Sequence, residues 1–472
     1  MPASLALLFG ALMMLGGVPL MMVAAVAVGF GVTIMNRPQW GLLLFCLIAP
    51  ALPWMTLTLG IRITFSEALL ALTWLGVFWQ WLLGRLPPLP RGPTERAMIW
   101  LIIWSIVPLM AGQVMVQAEG SGPVNWVRWL LNISLLFLVP LLTPDQRSRE
   151  RLQLCLMLGF FGLLAISLTI FFKDRDARAM ISILTALQYA RPDAIENIFS
   201  ADYTRMASPW VHPNSTGGAL LLGVPLAMFY GVAHQGWRRW LGLSVAVGGA
   251  AGIVFSGSRG ALLCLGLLVM GMAWRKVPYA GRALTIGVLL AALMLAFYAP
   301  AQKRLLSLFS SNDVSTGVRF DEYRNFPRAV ATYPLGIGFK VDPPPPGTDL
   351  FGISNLWLNY WYKLGLPGML FFIGITLAWW REVRGLGDIS RVTKENAMRI
   401  GTVGTMLAAL STGFIDHYYS FTQVLMALFW LVMALSLQAA RPTVPAVQAS
   451  LPRDPAVPPP TPAHRRHPVL RP

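Results

Sequence analysis

WLGLSVAVGGAAGIVFSGSRGALLCLGLLVMGMAW, running from Trp240 to Trp274, holds two apolar runs, Trp240 to Phe255 and Gly260 to Trp274, joined by Ser256-Gly257-Ser258-Arg259-Gly260. A hydrocarbon core of about 30 Å is crossed by about 20 helical residues at 1.5 Å each, so the stretch reads as a membrane hairpin with one guanidinium at its tip. The same pattern recurs outward in both directions. Upstream lie Trp40 to Gly60, Thr64 to Gly84, Ala97 to Gln117, Val124 to Leu142, Leu152 to Phe172 and Gly217 to Val232. Downstream lie Leu284 to Tyr298, Leu356 to Trp380, Ile400 to Ile415 and Phe421 to Ala439. The fold class expected is an all-α polytopic integral membrane protein of twelve spans plus an N-terminal stretch, Ser4 to Met35. That stretch is broken at Gly16-Gly17-Val18-Pro19, so it is either a short hairpin or a single tilted helix, giving fourteen or thirteen spans. Without a basic n-region or an Ala-x-Ala-like site it reads as a retained segment.

The composition agrees. Of 472 residues, 56% are apolar and 12% charged, with mean hydropathy +0.59. Soluble domains carry about 25% charged residues, so a water-soluble globule is excluded, and intrinsic disorder requires far lower hydrophobicity. Cys46, Cys155 and Cys264 all sit in apolar runs, where they act as small core hydrophobes and form no disulfide framework. The net charge of +17 would suit nucleic acid only if it were gathered on one folded face. Instead it gathers in alternate connections. Arg37, Arg85 to Arg96, Asp145 to Arg151, Arg238-Arg239, Arg275 to Arg282, Arg381 to Arg399 and the tail hold 22 Lys and Arg against 7 Asp and Glu, and everything else holds 15 against 13. Positive charge is retained on the cytoplasmic side, so basicity here is a topology signal, and no nucleic-acid partner is expected. Residues 1–440 form one transmembrane domain with long periplasmic loops at 173–216 and 301–355. Residues 441–472, rich in Pro, Ala and Arg, read as a disordered cytoplasmic tail.

Loops this long and of ordinary complexity favour function, and both lie on the outer side. The first holds Arg205, and His212 followed by Pro213 and Asn214. The second holds Arg319, Asp321, Glu322, Arg324 and Arg328. A pattern of Val318, Tyr323, Phe326, Val330 and Tyr333 predicts a helix lying on the membrane surface. An ionisable residue at a helix junction such as Arg259 is a functional-site candidate by default. With Arg205, Arg319, Arg324 and Arg328 it makes a multi-arginine set, and guanidinium groups hold phosphate oxygens in a fork while staying charged. The ligand that suits the set is a diphosphate on a membrane lipid. In the outer turn Asp416-His417-Tyr418-Tyr419, His417 is the candidate proton acceptor, oriented by Asp416, with Asp321 or Glu322 as the next choice. His212 is a second candidate base and, with Asn214, a candidate substrate contact, although beside Pro213 it reads more as a loop or helix-start residue; Glu67, Arg128 and Lys363 read as pairing or packing groups. No carboxylate cluster with metal-ligand spacing is visible, so neither metal nor cofactor is expected.

Ser258-Arg259-Gly260-Ala261-Leu262-Leu263, the outer loop from Arg319, Pro334-Leu335-Gly336-Ile337-Gly338-Phe339, and Asn355 followed by Gly365-Leu366-Pro367-Gly368 together resemble the O-antigen ligase and polymerase superfamily, over roughly Arg205 to Leu437. The resemblance implies a fold like that of the C-type membrane glycosyltransferases. It also implies an activity: transfer of glycan from an undecaprenyl diphosphate carrier at the periplasmic face of the bacterial inner membrane, without metal or nucleotide sugar. The partners implied are that lipid-linked glycan and a sugar acceptor, either a second lipid-linked repeat or lipid A core. Carried over position by position, Arg259 and Arg205 contact the diphosphate, Arg319 assists, and Ser354 and Asn355 line the acceptor side.

One position departs from the pattern. Ligases of the family carry histidine directly before the Asn, Ser or Gln that lies nine residues ahead of Gly-x-x-Gly, and here that position is Ser354. A serine hydroxyl is a poor base at neutral pH, which favours a polymerase of lipid-linked repeats over a ligase. A transporter is the rival class, but it would place its site at the midplane with internal repeats. A structural scaffold is the third.

Overall fold

The computed structural model describes residues 22, 25–58, 62–116, 121–174, 205–297, 302, 314–340, 347–348, 350, 352–385, 387 and 389–441. The Gly16 to Pro19 break and the tail beyond Arg441 lie outside them. The chain divides into two units, Met1–Arg441 and Pro442–Pro472.

Helices occupy the places read from hydropathy: α1 Ala25–Asn36, α2 Gln39–Ala51, α3 Phe65–Leu82, α4 Pro93–Met115, α5 Gly122–Ile133, α6 Leu135–Leu142, α7 Gln146–Asp174, α8 Pro213–Ala233, α9 Trp237–Ser256, α10 Arg259–Trp274, α11 Ala280–Phe297, α12 Val314–Thr332, α13 Leu356–Val383, α14 Lys394–Thr412 and α15 Gln423–Ala440. Among the described residues six helices are long and apolar enough to cross a membrane, with α5 and α6 counted as one. There are seven if the pair α1 and α2, bent by 118°, is one span. The protein is thus an all-α, multi-pass membrane protein.

Trp40 to Gly60 corrects the reading. Its helix stops at Ala51, because Pro53 disfavours helical backbone at Leu52, and Thr56–Thr58 then pairs antiparallel with Arg62–Thr64. The Thr-rich, β-branched residues around the turn suit this two-stranded hairpin.

The centre of the unit is made by α15 and α8. Val424 to Leu437 is buried all round, as a helix that is apolar on every face must be. Helix α8 crosses α9 closely: a Cβ on Gly242 would lie 2.6 Å from the Gly231 nitrogen. Small residues at such crossings let helices approach within lipid. At the periphery, α11 leaves almost every residue exposed, an apolar surface that only lipid suits.

Two charged clusters tie helix ends together. Arg128 on α5 donates to both Glu67 carboxylate oxygens at 3.0–3.2 Å, and Asn132 adds a bond of 3.1 Å. Glu67 also closes a capping box with Thr64 at the start of α3. At another end Arg441, which the sequence placed at the start of the tail, pairs with the buried Glu95 on α4 at 2.6 Å and with Glu382 on α13 at 2.8 Å. Thr94 donates to the same Glu382.

A break inside α13 fixes the loop before it. Gly365 has φ 71°, and Pro367 carries no N–H for the carbonyl of Lys363, so helical bonding lapses there. The freed carbonyls are met from outside. Ile337 N–H donates to Tyr362 and Gly338 N–H to Lys363, both at 3.0 Å, and the Trp104 indole donates to Leu364 at 2.7 Å. Lys340 then caps the carboxyl end of α4 through the carbonyls of Gln113 and Val116. The Pro334 to Phe339 element is therefore the plug of a broken helix, and it anchors the chain that leaves α12 at one end of the bundle.

Candidate functional site

The junction of α9 and α10 lies at that end. Gly257, with φ 61°, ends α9 in a left-handed turn, and Arg259 is the first residue of α10, partly buried. Arg205 comes from the chain before α8, and its guanidinium grips this turn: Nε donates to the Ser256 carbonyl at 2.8 Å and Nη2 to the Gly257 carbonyl at 3.3 Å. Two arginines from distant sequence thus meet at one helix junction. Gly217 on α8 lets the turn approach, since a Cβ there would lie 2.5 Å from that of Ser258.

The amino end of α8 supplies the next layer. His212 is its N-cap, and Nδ1 accepts the Asn214 N–H at 3.1 Å, which leaves the proton of the neutral ring on Nε2. Burial pushes this imidazole down to about 4, with Arg205 and His417 adding to the shift and Asp416 opposing it. His212 is accordingly neutral at pH 7. Asn214 accepts from Arg205 Nη2 at 2.8 Å and turns its amide toward Asp416 Oδ2, 3.5 Å away.

Asp416 is where three elements meet. Its Oδ2 lies 3.6 Å from Nη2 of Arg319 on α12. Its Oδ1 accepts the main-chain N–H of His417 at 2.9 Å, while His417 Nδ1 stands 3.7 Å away, beyond hydrogen-bond reach. The expected role for Asp416 as orienter of the His417 ring is therefore not what the geometry shows; its oxygens are turned to Arg319, Asn214 and the backbone. The turn is held by Asn359, which donates to Ser420 at 2.7 Å, and Ser420 reaches the His417 carbonyl.

On α12, residues 319, 322, 326 and 329 share a face at helical spacing. Phe326, Ala329 and Tyr333 pack there with Ile337 and Tyr362, while Val318 and Tyr323 are exposed, so only part of the expected amphipathic stripe packs against protein. Arg319 and Glu322 face inward. Glu322 accepts the Ser354 N–H at 2.6 Å, and the neighbouring Asn355 caps α13 through the N–H groups of Trp357 and Leu358. Asp321, Arg324 and Arg328 are exposed on the other side of the helix. The structure brings Arg205, Arg259, His212, Asn214, Arg319, Glu322, Ser354, Asn355, Asp416 and His417 to one end of the bundle and turns Asp321, Arg324 and Arg328 away. Asn359 and Ser420 were missed, although Asn359 stands one helical turn after Asn355 on the same face. Among the described residues no three His, Cys, Asp or Glu side chains converge as a metal site requires.

Fold and junction define a class: a multi-pass α-helical membrane protein with guanidinium groups from three elements gathered at one end. Residues 244–373 match the family described as O-antigen ligase. The match supports the O-antigen ligase and polymerase superfamily, and with it a glycan-transfer role in assembling O-antigen or a related polysaccharide from lipid-linked glycan and an acceptor. It holds Arg259, Arg319, Glu322, Ser354 and Asn355; Arg205, Asn214 and Asp416 lie outside it. No curated protein matches the chain.

Proposed function

We propose that the protein is a multi-pass inner-membrane glycosyltransferase, with residues 442–472 as a cytoplasmic tail. It transfers glycan from undecaprenyl diphosphate to a sugar hydroxyl at the periplasmic face. The observation that carries this reading is the meeting of Arg205 and Arg259 at one helix junction, with Arg319 facing it, inside a chain that matches a glycan-transfer family.

The chemistry follows from charge. The acceptor oxygen forms a bond to the anomeric carbon, the bond from that carbon to the diphosphate oxygen breaks, and the electron pair leaves on the diphosphate. Fixed cations aimed at the departing group stabilise that transition state more than the ground state. They serve without metal or other cofactor. The acceptor proton goes to a base near the Ser354 side, where His417 and Glu322 are the groups in place. A single displacement inverts the anomeric centre.

Serine at position 354 favours a polymerase joining lipid-linked repeats, in which donor and acceptor both carry anionic heads. The family description favours a ligase, and in that reading Glu322, bonded to the Ser354 backbone, takes the proton. Deleting the gene separates the two. A polymerase loss leaves single repeats on carrier or core, whereas a ligase loss leaves full-length polymer on undecaprenyl diphosphate. Purified protein that releases no carrier from lipid-linked oligosaccharide would overturn both and return the transporter.

A further inference from the structure

We propose that Asp416 is a place-holding anion: its carboxylate occupies Arg319 and, through Asn214, steadies Arg205 while the junction is empty, and it yields these groups to the anionic head of the donor. The inference rests on the functional reading above and adds a residue that sets how tightly, and for how long, the diphosphate is held.

Asp416 binds loosely where a phosphate would bind well. Charge-assisted bonds between guanidinium and oxyanion run to about 2.7–2.9 Å. Asp416 Oδ2 is 3.6 Å from Arg319 and 3.5 Å from the Asn214 amide, so neither contact reaches that length. Among the described residues only the His417 N–H, at 2.9 Å, is bonded closely, and it holds the turn rather than the cation. The side chains of Arg319 and Asp416 are 28% and 13% exposed, which leaves the pair open to water and to an incoming anion. Arg319 and Asp416 also belong to different elements, α12 and the turn before α15, so exchanging partners needs no break inside a helix.

Two opposite effects follow. In the empty site the carboxylate neutralises Arg319 and holds the α12 end near the junction. In the occupied site the same charge sits beside a diphosphate and repels it, which favours release of the spent carrier. Removing that charge therefore tightens anion binding, whereas removing a merely structural group would weaken it. In a medium close to water, one unit charge about 4 Å from the ligand alters affinity by about fivefold, and the partial burial of Asp416 raises this to about tenfold.

The test is titration of the purified full-length protein in detergent with inorganic pyrophosphate, for wild type, Asp416→Asn, Arg319→Gln and the double variant. Asp416→Asn is expected to bind about tenfold more tightly than wild type and to show lower KM and lower kcat on lipid-linked oligosaccharide. Arg319→Gln is expected to bind more weakly, and in its background Asp416→Asn is expected to tighten binding less than in wild type, because competition for Arg319 is gone and only the direct repulsion is left to remove. Equal or weaker binding by Asp416→Asn at an unchanged melting temperature overturns the proposal, as does full tightening without Arg319. If Asp416→Asn itself melts low, Asp416→Ser, which keeps an oxygen acceptor for the His417 N–H, takes its place under the same criteria. Wild-type protein that binds no pyrophosphate overturns the functional reading, and this inference with it; wild-type binding without the Asp416 effect overturns the inference alone.

Discussion

Arg259 and Arg205 share one turn but hold it differently: Arg205 is committed to the Ser256 and Gly257 carbonyls, while Arg259 opens the helix that follows. Arg259→Ala is expected to lower glycan transfer by about 10²–10³, the scale found when one transition-state donor is removed, and a melting curve checks that the variant is folded. Arg259→Lys is expected to be impaired as well, since an ammonium lacks the planar fork. A well-folded, fully active Arg259→Ala protein would remove the residue from the mechanism. His212 makes a different prediction. Its ordinary value is 6.5 and burial lowers it to about 4, so between those values the unfolded chain binds more protons than the folded one. Stability is then complete above about pH 6.5 and lost as the pH falls toward 4. His212→Asn keeps a side-chain acceptor for the helix start without a titrating ring, and melting curves taken from pH 7 to pH 4 should show a smaller decline than wild type.

Among the elements, the broken helix α13 and its plug carry the sharpest expectation. Gly336 has φ 88°, and a Cβ there would lie 2.5 Å from the Gly365 nitrogen and from the Lys363 carbonyl, both of them backbone. At Gly365 the nearest atoms would be 3.0 Å away. Both positions have positive φ, and Gly365, with ψ 172°, lies in a region that essentially only glycine adopts, while Gly336→Ala adds a clash with backbone that cannot turn aside. Gly336→Ala and Gly365→Ala are each expected to melt below wild type, and an unchanged melting temperature for Gly336→Ala would mean that the plug moves freely. Hydropathy runs Leu356 to Trp380 as one span, although Gly365 and Pro367 carry the local chemistry of a helix break, and Pro334 to Phe339 enters only as part of the family resemblance. That one caps the other was not legible, because the pairing joins residues 25 apart through carbonyls that exist as acceptors only once the helix breaks. The same limit explains Asp416. Adjacency suggested His417 as its partner, whereas the fold supplied Arg319 and Asn214 from two other elements. Hydropathy likewise ran Trp40 through Gly60 as a single span, since it weighs apolarity and passes over Pro53.

Across the whole unit, charge and geometry agree on which helix ends share a side. The ends that the Lys and Arg count assigns to the cytoplasm include the start of α4 and the ends of α13 and α15, and these are the ends joined by Glu95, Glu382 and Arg441. The ends assigned outside include the start of α8, the turn from α9 to α10, the start of α13 and the turn before α15, and these meet around Arg205, Asn214 and Asp416. Charge counting uses loop composition alone, whereas the clusters arise from packing, so their agreement is not built into either. The geometry fixes which ends lie together, and the sign of the charge says which set faces the cytoplasm. Thr332 on α12 and Ser390 before α14 are exposed and fall in opposite sets. The native thiols are poor targets, since Cys46 and Cys264 are buried and Cys155 is half-buried within α7. In intact cells a membrane-impermeant maleimide is expected to label Thr332→Cys at once and Ser390→Cys only after the membrane is opened. The reverse pattern would put the arginine junction in the cytoplasm, where a carrier-linked glycan exported to the periplasm could not reach it, and would overturn the orientation together with the proposed reaction. Labelling of both positions in sealed cells would instead break the agreement between charge and packing, and with it the assignment of the two sets of ends to opposite faces.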